Sequence, residues 1–351
     1  MKKSLVSIIL ATFNSASTLE KVLVSIGKQS YPLSCLELIV VDGGSTDNTR
    51  NIAQSYGCRI IDNPKTLPGW AKYFGYTLAR GEYAMFLDSD EVIEDSQSIE
   101  RKIVVMKENP SVHAVTGSGY RNPKNYSFLN QYINEFGDPF SFFYYRQSKD
   151  CRYFISQMKR LYPCVKETDG YLILNFLKEE NLPLLEFGAM GGIVDLVYLK
   201  SHAPEIIHNP ALIPHLINVL VMHGSRVALI KNDVLIHYSS DTWEKYLGKI
   251  KSRVINNIYT PAKEGFTGRN EFASQILRYK KYLFLPYALT VVGPLIDSLY
   301  LSITRRHFGY FIHILFSFYT ACLIIYYKCL KLVGIHAVMK SYGESVPLVQ
   351  K

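Results

Sequence analysis

Asp88, Ser89 and Asp90 end an apolar stretch that begins at Gly81-Glu82-Tyr83 and runs through Ala84-Met85-Phe86-Leu87. Two carboxylates one residue apart repel each other, and a hard divalent cation with oxygen ligands commonly offsets that repulsion. An apolar run that stops at two acids reads as a buried strand delivering them to the carboxyl edge of a sheet. Open α/β sheets place their ligand crevice at that edge. Taken alone the tripeptide is short and common, and Asp88, Asp90 and Glu91 also fit a solvated turn or a helix cap. Two further turns follow apolar runs in the same way: Thr12-Phe13-Asn14-Ser15 near the start of the chain, and Asp42-Gly43-Gly44-Ser45-Thr46-Asp47 after residues 36–41.

The elements that must position these turns follow from periodicity. Residues 5–10, 36–41, 59–61 and 83–87 are short and nearly all apolar. They alternate with segments of helical spacing, first Leu19, Val22, Leu23 and Ile26, then a helix to about Tyr56, then residues 70–79. Strands that are apolar on both faces and alternate with helices predict a mostly parallel sheet with helices on both faces. Residues 110–185 are aromatic and irregular, with no clean period. They fit either ordinary core and loop aromatics or an acceptor groove or membrane-facing rim. Gly188-Ala189-Met190-Gly191-Gly192 permits close backbone approach to a ligand. Residues 212–222 read as a helix ending at Gly224, 227–230 and 234–237 as strands, and 245–258 as a basic amphipathic or surface helix.

The charge is unevenly placed. The chain has 351 residues and a formal net charge of +9. Residues 1–240 hold 24 basic and 24 acidic side chains, and residues 241–351 hold 15 against 6. The basic part is also the apolar part: 282–303 is apolar except for Asp297, and 308–327 except for one His. Each is long enough to cross ~30 Å of hydrocarbon as a helix. A C-terminal apolar helical hairpin at an anionic membrane surface is therefore expected, and no nucleic-acid partner, since no nucleic-acid motif accompanies the basic groups. If both spans crossed, Arg305-Arg306-His307 would lie outside, against the positive-inside tendency; a hairpin lying partly in the interface avoids that conflict. The six cysteines show no CxxC spacing and no His/Cys cluster. A disulfide framework or zinc site is thus not expected, and a reducing setting is more natural for the polar part. The first ten residues imitate a signal peptide, but their apolar stretch is short and interrupted at Asn14 and Ser15, which fits a first buried strand better.

Three linked segments together resemble family 2 glycosyltransferases of GT-A fold: Val6-Ser7-Ile8-Ile9-Leu10-Ala11-Thr12-Phe13-Asn14, Val40-Val41-Asp42-Gly43-Gly44-Ser45-Thr46-Asp47-Asn48-Thr49, and Ala79-Arg80-Gly81-Glu82-Tyr83 leading into Asp88-Ser89-Asp90. The resemblance covers residues 4–95 well and 186–250 loosely. It implies a nucleotide-sugar pocket formed by Thr12, Asn14, Asp42, Gly44, Lys72 and Asp88, with Asp42 meeting the base, usually uracil. It implies an Mg²⁺ or Mn²⁺ ion near Asp88, Asp90 and His237, with Asp90 the direct ligand. Lys72 stands where relatives carry an Ala-Arg-Asn segment, and lacks the bidentate fork of Arg. Each role has a plainer alternative: a strand-ending turn for Asp42, a solvated helix residue for Lys72, a packed core residue for His237.

Such a site fits one displacement with inversion at the sugar carbon, the cation neutralising the departing diphosphate. The deprotonating base departs from the family pattern. No carboxylate occupies the 9–12 residues before Gly224, leaving His215 and Asp195 as candidates, with Glu205 behind them; an acceptor already anionic needs no strong base. The sequence thus predicts an inverting glycosyltransferase using a nucleotide-sugar, UDP-linked by expectation, and a lipid-linked or other glycan acceptor in surface-glycan assembly. It would be membrane-bound, with its catalytic domain cytoplasmic. The expected division is a GT-A domain over 1–245, a basic juxtamembrane helical linker over 246–281, two transmembrane or membrane-embedded helices over 282–334 and a tail over 335–351. A catalytically degenerate membrane scaffold is the non-enzymatic alternative. A nucleotidyltransferase is the enzymatic one, although Thr12-Phe13-Asn14-Ser15 lacks its Gly-rich, basic phosphate loop.

Overall fold

The run Val-Ser-Ile-Ile-Leu-Ala-Thr forms the first strand, β1 (Val6–Thr12), and Ile8, Ile9 and Leu10 in it are fully buried. A computed structural model of the chain describes residues 3–176, 190–239, 242–259, 272–337 and 348–350. It divides into two units: one of residues 1–123 and 150–238, the other of residues 124–149 and 239–351.

The first unit is built on a nine-stranded sheet. Besides β1 it contains β2 (Leu36–Asp42), β3 (Arg59–Asp62), β4 (Tyr83–Asp88), β6 (Val112–Thr116), β8 (Cys164–Glu167), β9 (Tyr171–Leu174), β10 (Ile193–Asp195) and β11 (Arg226–Ile230), in the order β3-β2-β1-β4-β10-β6-β11-β9-β8. The first four are parallel neighbours. β10 then inserts antiparallel between β4 and β6, and β11 runs parallel to β6. The mostly parallel sheet read from the apolar runs is thus parallel over β3-β2-β1-β4 and mixed beyond. Chain order runs outward from β1 to β3 and returns to β4, so β1 and β4 flank the switch point at which such sheets open a crevice. Register sets the edge there: Thr12 lies opposite Asp42, Ala11 opposite Asp88, and Asp42 opposite Asp62.

Helices cover this sheet by their apolar stripes. Ala16–Gly27 buries Leu19, Val22, Leu23 and Ile26. Pro68–Leu78 lies so close to β1 that a Cβ on Gly75 would come within 2.2 Å of Ile9 Cγ2. A smaller sheet, β5-β12-β7, is made of β5 (Glu91–Ile93), β12 (Val234–His237) and β7 (Gly119–Arg121). The helix expected over 212–222 is a 3₁₀ segment, Pro210–His215, followed by a helix, Leu216–Met222. Pro214 lacks the N–H that a continuous α-helix would use. Of the glycine-rich stretch, Gly188 and Ala189 lie outside the described residues; Gly191 has φ +62° and packs against Met85 and Leu235.

The second unit is helical. Its core joins Leu129, Tyr132, Ile133 and Phe136 of helix Phe128–Phe136 to Tyr246, Ile250 and Ile255 of helix Trp243–Tyr259 and to Phe316 and Tyr327 of helix Ile312–Leu332. The aromatic segment 124–149 belongs to this unit, the boundary between the units falls at Tyr238, and the stretch expected as a helical linker contributes helix Trp243–Tyr259 to the core. The tail folds back in part, Ile335–Ala337 pairing antiparallel with Leu348–Gln350. The first expected span is broken: the helices Gln275–Leu289 and Val292–Arg305 meet at 89°. Gly293 lets the Tyr287 ring fold against the break, where a Cβ would come within 2.3 Å of it, and Pro294 in the next first turn needs no N–H partner. Among the described residues one unbroken helix, Phe308–Leu332, is long and apolar enough to cross a membrane.

Candidate active site

Three turns meet at the carboxyl ends of β1, β2 and β4. The turn after β2 is wound around Asp42, whose carboxylate is enclosed. Its Oδ1 accepts from Thr12 Oγ1 (2.9 Å) and Ser45 Oγ (2.5 Å). Its Oδ2 accepts from Gly44 N (3.2 Å), Ser45 N (3.0 Å) and Arg50 Nη1 (3.2 Å). Burial pushes this carboxyl up, but the hydrogen bonds from Ser45, Thr12 and Arg50 outweigh it and hold it below the usual carboxylate range. Gly44 sits at φ +92°, a conformation that a side chain at that position would strain.

The turn after β1 is locked to the same loop. Asn14, at φ +47°, accepts from Thr46 N (2.8 Å) and donates its own N–H to Ser45 Oγ (2.9 Å). Ser15 N donates to Thr49 Oγ1 (2.7 Å), and Ser89 Oγ donates to Ser15 Oγ (2.8 Å), tying the acidic triplet to both other turns. Thr12, Asn14, Asp42 and Gly44 are therefore brought together. The Asp42 side chain, expected to meet the donor's base, is enclosed and accepts five hydrogen bonds from this chain, so it also shapes the wall of the crevice.

The triplet is completed by the small sheet. Asp88 ends β4, Ser89 and Asp90 turn, and Glu91 opens β5 opposite His237 of β12. Tyr238 N donates to the Asp90 carbonyl (2.9 Å), and His237 Nε2 lies 3.5 Å from Asp90 Oδ1. The Tyr120 ring of β7 lies 4.6 Å from the His237 ring, and its hydroxyl donates to Glu91. Glu91 is fully buried and its other oxygen accepts from Asp88 N (3.2 Å). Burial first, and the Asp88 charge second, push the Glu91 carboxyl up to about 7. Glu91 is thus no part of a solvated turn. It and Tyr120 are site residues that the motifs missed. Glu91 carried a signal, following the triplet directly; Tyr120, thirty residues away, carried none.

Lys72 sits on helix Pro68–Leu78 with its ammonium 4.0 Å from the centre of the Phe86 ring. Phe86 and Asp88 are two apart on β4 and share a face, so this cation lies on the face that carries Asp88.

Of the two base candidates, Asp195 is not brought to this edge. Asp195 pairs in register with Tyr83, at the starting end of β4, roughly 17 Å along the strand from Asp88. There it caps helix Leu196–His202 through Tyr198 N (2.8 Å) and meets His113 Nδ1 (3.2 Å), whose ring stacks on Tyr198 at 3.5 Å. Antiparallel insertion of β10 sends its end to the far side of the sheet, which removes Asp195 from the site. His215 ends the 3₁₀ segment that packs on helix Pro68–Leu78, and it is 2% exposed. Glu205, the third candidate, is held by His223 Nε2 at 2.7 Å.

Residues 7–162 match the family model described as glycosyl transferase family 2. The chain is 32% identical over 140 residues to an uncharacterized glycosyltransferase of Haemophilus influenzae, covering 37% of this chain and 50% of that one. It is 32% identical over 93 residues to the poly(ribitol-phosphate) β-N-acetylglucosaminyltransferase TarS of Staphylococcus aureus, covering 25% of this chain and 16% of the other. The chain therefore spans between a sixth and a half of the length of these curated relatives. A mannosyltransferase of Pyrobaculum calidifontis, solved with GDP-Man and Mn²⁺, superposes with a TM-score of 0.55 at 15% identity over 93% of this chain and 89% of that one. That likeness concerns the fold, which is GT-A-like.

Proposed function

We propose, for a chain whose residues 7–162 match the family model described as glycosyl transferase family 2, that the sheet unit transfers a sugar from a nucleotide-sugar to an acceptor hydroxyl with inversion. The observation that carries this reading is the convergence of Asp88, Asp90 and His237 on the switch-point crevice, beside the locked turns of Thr12, Asn14 and Gly44. The turns supply exposed backbone and hydroxyl groups for a nucleoside, and Asp42 fixes their shape.

Among the described residues no group of three or more His, Cys, Asp or Glu is gathered as a metal site. The pair Asp90 and His237, 3.5 Å apart and each partly exposed, fits a cation held by two protein groups and completed by donor oxygens. When bound, Mg²⁺ or Mn²⁺ would neutralise the charge of the departing diphosphate. Asp90 and His237 would hold it, and Asp88 lies on the strand side of the same turn. Glu91, buried beneath, holds Asp88 by its N–H and so fixes the turn that aims both acids. Lys72 adds a cation on the Asp88 face for diphosphate oxygens.

The donor is proposed to be UDP-linked. The acceptor is proposed to be a lipid-linked or membrane-proximal glycan in surface-polymer assembly, since the relative TarS acts on a poly(ribitol-phosphate) and this chain carries an apolar helical unit. An acceptor hydroxyl must pass its proton to a base, and Asp195 lies too far along β4 to be that base; only an acceptor attacking through an anionic phosphate oxygen would need none. The test is release of nucleoside diphosphate from UDP-, GDP- and dTDP-sugars with Mn²⁺, then with chelator, followed by mass analysis of lipid products. Metal-dependent UDP release supports the reading. Silence with every donor would return the chain to the scaffold alternative.

A further inference from the structure

The helical unit wears its apolar residues outside. On Val292–Arg305 the outward residues Val292, Leu295, Ile296, Leu299, Tyr300 and Ile303 recur at three- and four-residue spacing, one continuous stripe. The inward face of the same helix holds Asp297, Ser298 and Ser302. On Ile312–Leu332 the outward residues are Leu315, Phe318, Cys322, Ile325, Cys329 and Leu332, whereas His313, Ser317 and Thr320 point in. A water-facing helix shows the reverse. Polar groups inside and hydrocarbon outside suit a surface whose solvent is lipid.

We infer that these two helices lie along one leaflet of an anionic phospholipid bilayer, with their stripes in the acyl region, and do not cross it. The inference rests on the membrane-proximal acceptor proposed above and states how the chain would reach it. Two observations exclude crossing. First, the turn between the helices is tied to the segment 124–149 of its own unit. Arg305 Nε donates to the buried Glu135 carboxylate (3.1 Å), and the Glu135 carbonyl accepts from Lys149 N (2.8 Å), the residue from which the chain passes directly into the sheet unit. A twice-crossing hairpin would carry this turn ~30 Å away. Second, Ile312–Leu332 is flanked along its length by the parallel helix Trp243–Tyr259. Trp243 meets Phe316 at 5.2 Å, and the Tyr259 hydroxyl donates to the carbonyls of Tyr327 and Ile335 (3.1 Å each). That neighbour carries Lys245, Lys249, Lys251 and Arg253, which a crossing would drag through hydrocarbon at considerable cost. Lying flat keeps it on the polar side. The exposed cations Arg278, Arg306 and Lys328 then bracket the stripes at headgroup depth.

The full chain is tested by flotation with phosphatidylcholine vesicles, with and without phosphatidylglycerol. Binding that strengthens with the anionic lipid is expected, and the double substitution Leu315→Glu, Phe318→Glu should weaken it about tenfold or more. UDP release in solution should be unchanged by that variant, so failure of binding and failure of the proposed activity are read separately. Topology is tested in sealed membrane vesicles of one orientation from expressing cells. Single cysteines replacing Lys3, Arg306 or Lys351, in a chain whose native cysteines are alanine, are treated with an impermeant maleimide. Equal labelling of all three from one side is expected. Opposite labelling of Arg306 against Lys3 shows two crossings, and of Lys351 against Lys3 one crossing; either overturns the inference. So does a chain that ignores vesicles and is a dimer made monomeric by the Leu315→Glu, Phe318→Glu change, since the face then belongs to a second copy.

Discussion

At the scale of single residues, the site divides into groups that face the crevice and groups that hold them. Asp90 is partly exposed and paired with His237, so Asp90→Ala should reduce metal-dependent turnover at least about 100-fold while the thermal midpoint stays within a few degrees of the parent. Turnover and calorimetry together check this, and unchanged turnover removes Asp90 from the site. Asp42 is a holding group. Its folded carboxyl titrates below its unfolded value of about 4, so its contribution is fully present at neutral pH and is lost as pH falls through the folded value. Asp42→Asn should cost about 2 kcal/mol at pH 7, and urea titrations should show that gap closing as pH falls below the ordinary carboxylate range. His215 is a buried residue of a packed 3₁₀ turn. His215→Ala should lower stability by about 1–3 kcal/mol and leave the pH profile of turnover in place; loss of its basic limb would restore His215 as the base.

At the scale of elements, the strand ends are aligned by packing that tolerates little change. Helix Pro68–Leu78 reaches β1 because Gly75 has no side chain, and Gly75→Ala would place a methyl 2.2 Å from Ile9 Cγ2. The expected cost is about 1–3 kcal/mol, with a raised KM for donor as the helix carrying Lys72 shifts. Denaturation and steady-state kinetics measure the two effects. The parallel strands were legible because each reads as a short apolar run closed by turn residues, and β1, β2 and β4 were found within two residues of their ends. β10 was not. Three residues in an antiparallel slot carry no periodic signal, and their direction decided which edge received Asp195.

At the scale of the whole molecule, the chain builds its helical unit from two distant segments. A chain shortened to end at Tyr238 keeps Leu129, Tyr132, Ile133 and Phe136 but loses Tyr246, Ile250 and Phe316, against which they pack. Such a chain should aggregate on expression, whereas the full chain with detergent or lipid should remain monodisperse; light scattering distinguishes them. If the shortened chain is soluble and monomeric, the division into units is wrong. By itself the sequence determined where the crevice edge lies, because Thr12, Asp42 and Asp88 each end a strand whose apolar run fixes its limit, with Asp90 in the turn beyond. It also determined that the C-terminal part is basic and apolar, which composition alone establishes. Tertiary structure decided the rest. Glu91, Tyr120 and His237 meet only because β5, β12 and β7 pair across some 145 residues of chain. Packing likewise decided which faces of the C-terminal helices turn Asp297, Arg305 and His313 inward. Pairing register and helix-face choice are long-range packing outcomes, and no local window of sequence contains them.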